Sequence, residues 1–249
     1  MAFPTIPTVA NGRVLVTTQA NTTSPRTFPT LSSLTKNSGD LLVAIIVGYQ
    51  SSLTSAIWSS WGASFTELLD IGVSTQHCVG IAYKWSDGTE TGTFTVAQAG
   101  TITGHAAMVL LSIAGVNPTE VPAVLAALAT DTAAAADPGA LDPANWAAED
   151  TLWVAVAGSG ETSTSGAFTG VTAAPTNYTD YAATAISSDA VGGVNAAVAF
   201  RQLNASSENV GTFSVDTSNA RNCATVIAIR PVVPVAKKRQ SPYRTARRK

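Results

Sequence analysis

Short strand-like runs, some alternating between apolar and polar residues, recur along the first half of the chain: Arg13–Gln19, Asp40–Tyr49, His77–Trp85, Gly92–Ala97 and His105–Ile113, with Gly, Ser, Thr, Asn and Pro between them. A period of two bounded by turn-forming residues predicts β-strands. In His77–Trp85, the residues Val79, Ile81, Tyr83 and Trp85 share one face and Gly80, Ala82 and Lys84 the other, which predicts a strand with a single buried face. No segment sustains a helical period between capping residues, so the pattern predicts an all-β chain.

The pattern also repeats. At an offset of 110, Val14-Leu15 meets Val124-Leu125, Leu31 meets Leu141, and GDLLVAIIVG (39–48) meets EDTLWVAVAG (149–158). At 117, Ile81-Ala82-Tyr83-Lys84 meets Val198-Ala199-Phe200-Arg201. At 119, GTFTV (92–96) meets GTFSV (211–215), and the closing strands VLLSI (109–113) and TVIAI (225–229) agree at 116. Type-for-type matches with an offset that shifts by small insertions point to duplication of one unit. The repeat arbitrates one ambiguous stretch. Residues 121–136, VPAVLAALATDTAAAA, favour helix by propensity, yet their counterpart GRVLVTTQANTT favours strand, so Val124–Asp131 is expected to be a strand. The expected organisation is two tandem antiparallel β-sandwiches, jelly-roll-like, over 1–117 and 118–231, each with its own core, followed by a basic, extended tail over 232–249.

Charge sharpens that division. Only 12% of residues are charged, against about 25% in an average soluble domain. Residues 1–231 hold 7 Lys+Arg and all 16 Asp+Glu, a net of −9, whereas 232–249 hold 7 basic residues and no acid, a net of +7. An acidic body weighs against a fold that wraps nucleic acid, which leaves the tail as the one segment suited to phosphate contacts. The longest apolar run, Leu41–Val47, is far short of the roughly 20 residues of a spanning helix, so no membrane insertion is expected. The opening MAFPTIPTVANG has neither the basic nor the apolar region of a secretory leader, and none is expected.

Candidate chemistry is sparse. His77 and His105 have no histidine counterparts in the second copy and are expected to be structural. Cys78 and Cys223 are too few for a disulfide framework or a Cys-rich zinc site and are expected to be small buried hydrophobes. GSG at 158–160 lacks the form of a serine nucleophile elbow, and Gly158, Gly160, Gly166 and Gly170 read as a hairpin loop. Neither WSDGTETG (85–92) nor DTAAAADPGALD (131–142) has calcium-loop spacing, and Asp87-Gly88 reads as a turn. No catalytic, cofactor or metal residue is therefore assigned. Trp58 and Trp61, in the Ser-rich connection AIWSSWGASF, are candidate interface or glycan contacts; the alternative is that both fold back to cap the sandwich. Trp85 and Trp153 are expected within the sheets. The cations Lys237, Lys238, Arg239, Arg244, Arg247, Arg248 and Lys249 are a candidate tether that lies on the acidic body of a neighbouring copy.

The stretches GRVLVTTQANTTSPRTFPTLSSLTKNSGDLLVAIIVGYQ, SSWGASFTELLD, AYKWSDGTETGTFTV, ITGHAAMVLLSIAG, AEDTLWVAVAG and VAFRQLNASSENVGTFSVDTSNAR, with the basic C-terminal residues, cover nearly the whole chain. Together they resemble the minor tail and virion-associated proteins of tailed phages of actinobacteria. The family's Gly-Trp element appears here as Trp61-Gly62 and its closing Arg-Pro as Arg230-Pro231. The resemblance implies a paired β-sandwich, no catalysis and no cofactor. It implies a virion protein assembled in the bacterial host cytoplasm, partnered by other virion subunits in a homo-oligomer, with a trimer expected by analogy. Within that class a minor tail protein at the tail tip or fibre, contacting the host surface, stands first. A capsid decoration protein and a carbohydrate-binding module for host envelope glycans are the alternatives, and a cell-wall hydrolase has least support.

Overall fold

The computed structural model describes residues 2–19, 24–49, 58–62, 64–73, 77–98, 104–125, 129–131, 135–161, 170–189, 192–216 and 221–232. In these residues the chain is all-β. The first copy contributes β1 (Val14–Gln19), β2 (Arg26–Thr30), β3 (Leu41–Tyr49), β4 (Trp58–Trp61), β5 (Thr66–Val73), β6 (His77–Trp85), β7 (Thr93–Gln98) and β8 (Ala106–Ile113). The second contributes β9 (Ala123–Val124), β10 (Ala129–Asp131), β11 (Ala135–Ala136), β12 (Ala140–Leu141), β13 (Glu149–Glu161), β14 (Val171–Ala173), β15 (Thr179–Asp189), β16 (Gly192–Ala205), β17 (Glu208–Asn209), β18 (Phe213–Val215) and β19 (Arg221–Ile229). Of the strand expected over Val124–Asp131, the two ends are strands, β9 and β10, which both pair with β19, and residues 126–128 lie outside the described residues.

The two copies share one topology. A large sheet in the order β1-β8-β3-β6-β5 faces a small one, β2-β7-β4; in the second copy β10-β19-β13-β16-β15 faces β11-β18-β14. Most successive strands cross between the two sheets, whereas β5–β6 and β15–β16 are hairpins within the large sheet. The pairing register refines the repeat. Val14 pairs with Leu111 and Val124 with Ile227, which keeps the offset of 110 for the first strand. Leu41 pairs with Ile113, however, and Leu152 with Ile229, so β3 and β13 match at 111 and not at 110. Because side chains alternate, a one-residue slip would exchange the two faces; Leu41 and Leu152 in fact lie in the same core. The register also reveals a match at 113, where Phe65-Thr66-Glu67 corresponds to Tyr178-Thr179-Asp180, followed in each copy by a bulge in the edge strand.

The two large sheets pack face to face, which makes four layers. β1 lies over β15, β3 over β13 and β16, and β6 over β19. Both middle sheets are therefore covered on both faces, and this is why Leu41 to Val47 are all buried. The single-sided burial expected of β6 is corrected on the same ground, since Val79 and Ile81 face the other copy while Gly80 and Ala82 are buried towards the small sheet. Each copy has its own core, built on Phe28, Phe94 and Met108 in one and on Trp153, Phe213 and Val226 in the other. The largest core, with Val43, Ile45, Val154 and Phe200, belongs to both copies at once.

The halves are related by an approximate twofold axis running parallel to the strands, so equivalent strand ends lie at the same end of the molecule. Val47 and Gly158, equivalent at offset 111, meet across the middle: a methyl group at Gly158 would lie 2.7 Å from Val47 Cγ1 and 2.8 Å from Cys223 Sγ. A position that meets its own counterpart on a twofold axis has no room for two valines. Gly158 and Gly160 therefore lie within β13, which corrects the hairpin reading of these two residues. At the other extremity the copies are stitched together where β8 and β19 finish, by a bridge between Val116 and Pro231. The Asn117 amide donates to Arg230 O (3.2 Å) and the Val232 amide to Gly115 O (2.9 Å).

Candidate functional site

Trp58 and Trp61 lie on a strand, β4, which pairs with β7 through Trp58↔Gln98 and Trp61↔Val96 with a bulge between them. Trp58 is 2% exposed and belongs to the first copy's core; this corrects its placement in a connection and, for Trp58, agrees with the alternative in which the tryptophans fold back onto the sandwich. Gly80 is the physical reason. A side chain there would collide with the Trp58 ring and come within 2.9 Å of Trp61 Cζ2, so glycine opens the space into which Trp58 inserts. Asp70 fixes the strand by accepting the Trp58 backbone amide at 2.8 Å. Trp61 is half-buried; its indole N–H donates to Glu67 Oε2 at 3.1 Å and its ring lies 6.2 Å from Phe94. Ser59, Ser60 and Glu67 beside it are exposed. Of the two candidate contacts, Trp61 alone is partly exposed.

The described basic side chains are held internally. Arg13 pairs with Asp40 (2.8 Å), which also accepts from the Ser112 hydroxyl. Lys84 pairs with Glu90 (3.3 Å), and the equivalent residues Arg201 and Glu208 pair at 2.6 Å. Arg230 bridges Glu149 (2.6 Å) and Glu120 (3.3 Å) and lies 5.0 Å from the centre of the Trp146 ring. Lys36 donates to Leu31 O at 2.8 Å, and the buried Arg26 donates to Gly104 O. Burial disfavours the Glu90 carboxylate, but the Asp87 amide, the Ser86 hydroxyl and Lys84 outweigh it and lower its pKa. Sequence reading aligned Lys84 with Arg201 but missed the acids, which match at an offset of 118 between the blocks at 117 and 119. With the cations spent inside, Glu67, Asp87, Asp142 and Asp180 are exposed and carry no ion pair among the described residues.

His105 is buried at the start of β8, and Cys223 is a buried free thiol whose pKa burial pushes up to about 12, with Sγ 3.5 Å from Gly158 O. The side chains of His77 and Cys78, and the tail cations Lys237, Lys238, Arg239, Arg244, Arg247, Arg248 and Lys249, lie outside the described residues. Among the described residues, no three His, Cys, Asp or Glu side chains are grouped to hold a metal ion, and no helix is long and apolar enough to cross a membrane. No protein-family model, curated protein or solved structure matches this chain.

Proposed function

We propose that the protein is a non-enzymatic structural component of a tailed-phage virion, a minor tail protein of the tip or fibre region, working as a homo-oligomer, with a trimer expected, among other virion subunits. The observation that supports this reading best is the duplicated jelly roll fused through a shared core. Two sandwiches locked face to face make a stiff body that holds its loops in fixed relation, as a subunit of a repeating assembly requires. A surface poor in charge suits contact with neighbours, since interface cores are depleted in charged residues. The resemblance of nearly the whole chain to actinobacterial phage virion proteins supplies the biological setting.

Labelling the protein in purified virions and locating it by image reconstruction tests the reading. Density at the tail is the expected result; density on the head would make it a capsid decoration protein, and its absence from virions would overturn the proposal. A second reading, binding of host envelope glycans, is favoured by the half-exposed Trp61 beside Glu67, where a sugar ring would stack and hydrogen-bond.

A further inference from the structure

We propose that the glycan site at Trp61 takes an amino sugar, a hexosamine whose amine is free and charged, with that amine seated on Glu67. The proposal rests on the glycan-binding reading given above and adds the charge of the ligand to it.

The site is built on a contact that fixes a carboxylate against an aromatic ring. Glu67 Oε2 accepts the Trp61 indole N–H at 3.1 Å, so the acid is held at the nitrogen edge of the indole. Trp61 Cζ2 lies against Gly80, 2.9 Å from where a methyl group there would stand, and Phe94 packs 6.2 Å from the ring centre. These contacts hold the indole in place and leave it partly exposed, beside the exposed Ser59, Ser60 and Glu67. A sugar ring packs on tryptophan, and a carboxylate fixed next to the indole takes a polar group of the same sugar.

Charge decides which polar group. Glu67 has no ion pair among the described residues. Its register partner on β6 is Ala82, and Lys84, two residues along, is engaged with Glu90 at 3.3 Å. Asp70 adds to the negative potential. Glu67 pairs with Ala82 and Asp70 with Gly80, residues two apart on β6, so both acids lie on the same face of the edge strand β5, roughly 7 Å apart. A sugar hydroxyl would hydrogen-bond to Glu67 and leave its charge uncompensated. An ammonium has three donors and no acceptor; it pairs with the carboxylate and is drawn to an aromatic face within about 6 Å of the ring centre. A lysine side chain offers the ammonium without a ring to pack, whereas an amino sugar engages both Glu67 and Trp61.

The duplication supplies an internal comparison. Trp61 pairs with Val96 in the first copy, and at the equivalent place in the second Val171 pairs with Val215. The second copy therefore keeps an acid, Asp180, where the first has Glu67, but has no tryptophan beside it. One site per chain is expected.

The test uses the full chain labelled with nitrogen-15, and follows the Trp61 indole N–H resonance, identified by its loss in Trp61→Phe. Glucosamine, N-acetylglucosamine, glucose and lysine amide are titrated at about pH 6, where free amines are charged. Glucosamine is expected to bind about tenfold more tightly than either neutral sugar, with one site per chain, and the preference should shrink near 1 M salt, where charges are screened beyond about 3 Å. E67Q keeps an acceptor for the indole N–H and removes the charge, so it should bring the three sugars to the same affinity. Equal binding of the three sugars by the unaltered protein would overturn the proposal and leave the glycan reading standing. No shift with any sugar would overturn both. A preference that survives in E67Q, or lysine amide binding as tightly as glucosamine, would also overturn the proposal.

Discussion

Trp58 and Trp61 show how far a single residue's role depends on what lies opposite it. They are three apart in one short strand, yet one is core and the other half-open, because Gly80 leaves a space for the first. Trp58→Ala is expected to destabilise the protein by about 3–5 kcal/mol, the range for a large aromatic removed from a core, whereas Trp61→Ala should cost clearly less; chemical denaturation of the two variants checks this. A glycan assay is therefore interpretable with Trp61→Ala and not with Trp58→Ala. Two buried acids of another kind, Tyr178 and Cys223, and the partly buried Tyr181 act together at high pH. Burial raises Tyr181 to about 12 and Cys223 to about 12, and raises Tyr178 further, with the Glu208 charge adding to it. Each is neutral in the folded chain while its unfolded form ionises above 9.0 for cysteine or 10.0 for tyrosine. A raised folded pKa gives stability that is complete below the unfolded value and lost above it. The melting temperature should thus fall steadily as pH rises from about 9 to about 12, and a flat profile would contradict this burial.

Among the elements, β3 and β13 carry the junction of the two halves. Their sequences LLVAIIV and LWVAVAG match at 111, and the last pair, Val47 and Gly158, touches across the axis. Gly158→Val, which would make the two copies alike, is expected to cost about 1–3 kcal/mol by overpacking. Val47→Gly in the same chain should recover part of that loss, so a double-mutant cycle is expected to show coupling between the two sites. Additive losses would mean that the strands do not meet there. The edge strands β5 and β15 carry the equivalent bulge, which interrupts the exposed ladder and blunts both edges against unwanted pairing. Sequence alone could not locate these bulges, because an extra residue in a strand leaves no mark until its partner is known.

At the scale of the whole molecule, the twofold axis parallel to the strands puts equivalent strand ends of both copies at the same end, where Val116 bridges Pro231. The repeat, the all-β class and the separation of a −9 body from a +7 segment were legible in the sequence, because period, spacing and charge are properties of the chain read in order. The exact register was not, since offsets of 110 and 111 differ only in which face each side chain takes. Nor was the shared core. An apolar run such as Leu41–Val47 states that both faces are covered without stating by what. Tertiary structure supplied the cover, the second copy, and with it the burial of Trp58, the need for glycine at 158 and the internal pairing of the body's described cations. Each of these depends on residues far apart in the chain coming within contact distance. Local sequence encodes the strands; only their packing decides which surfaces remain for a partner.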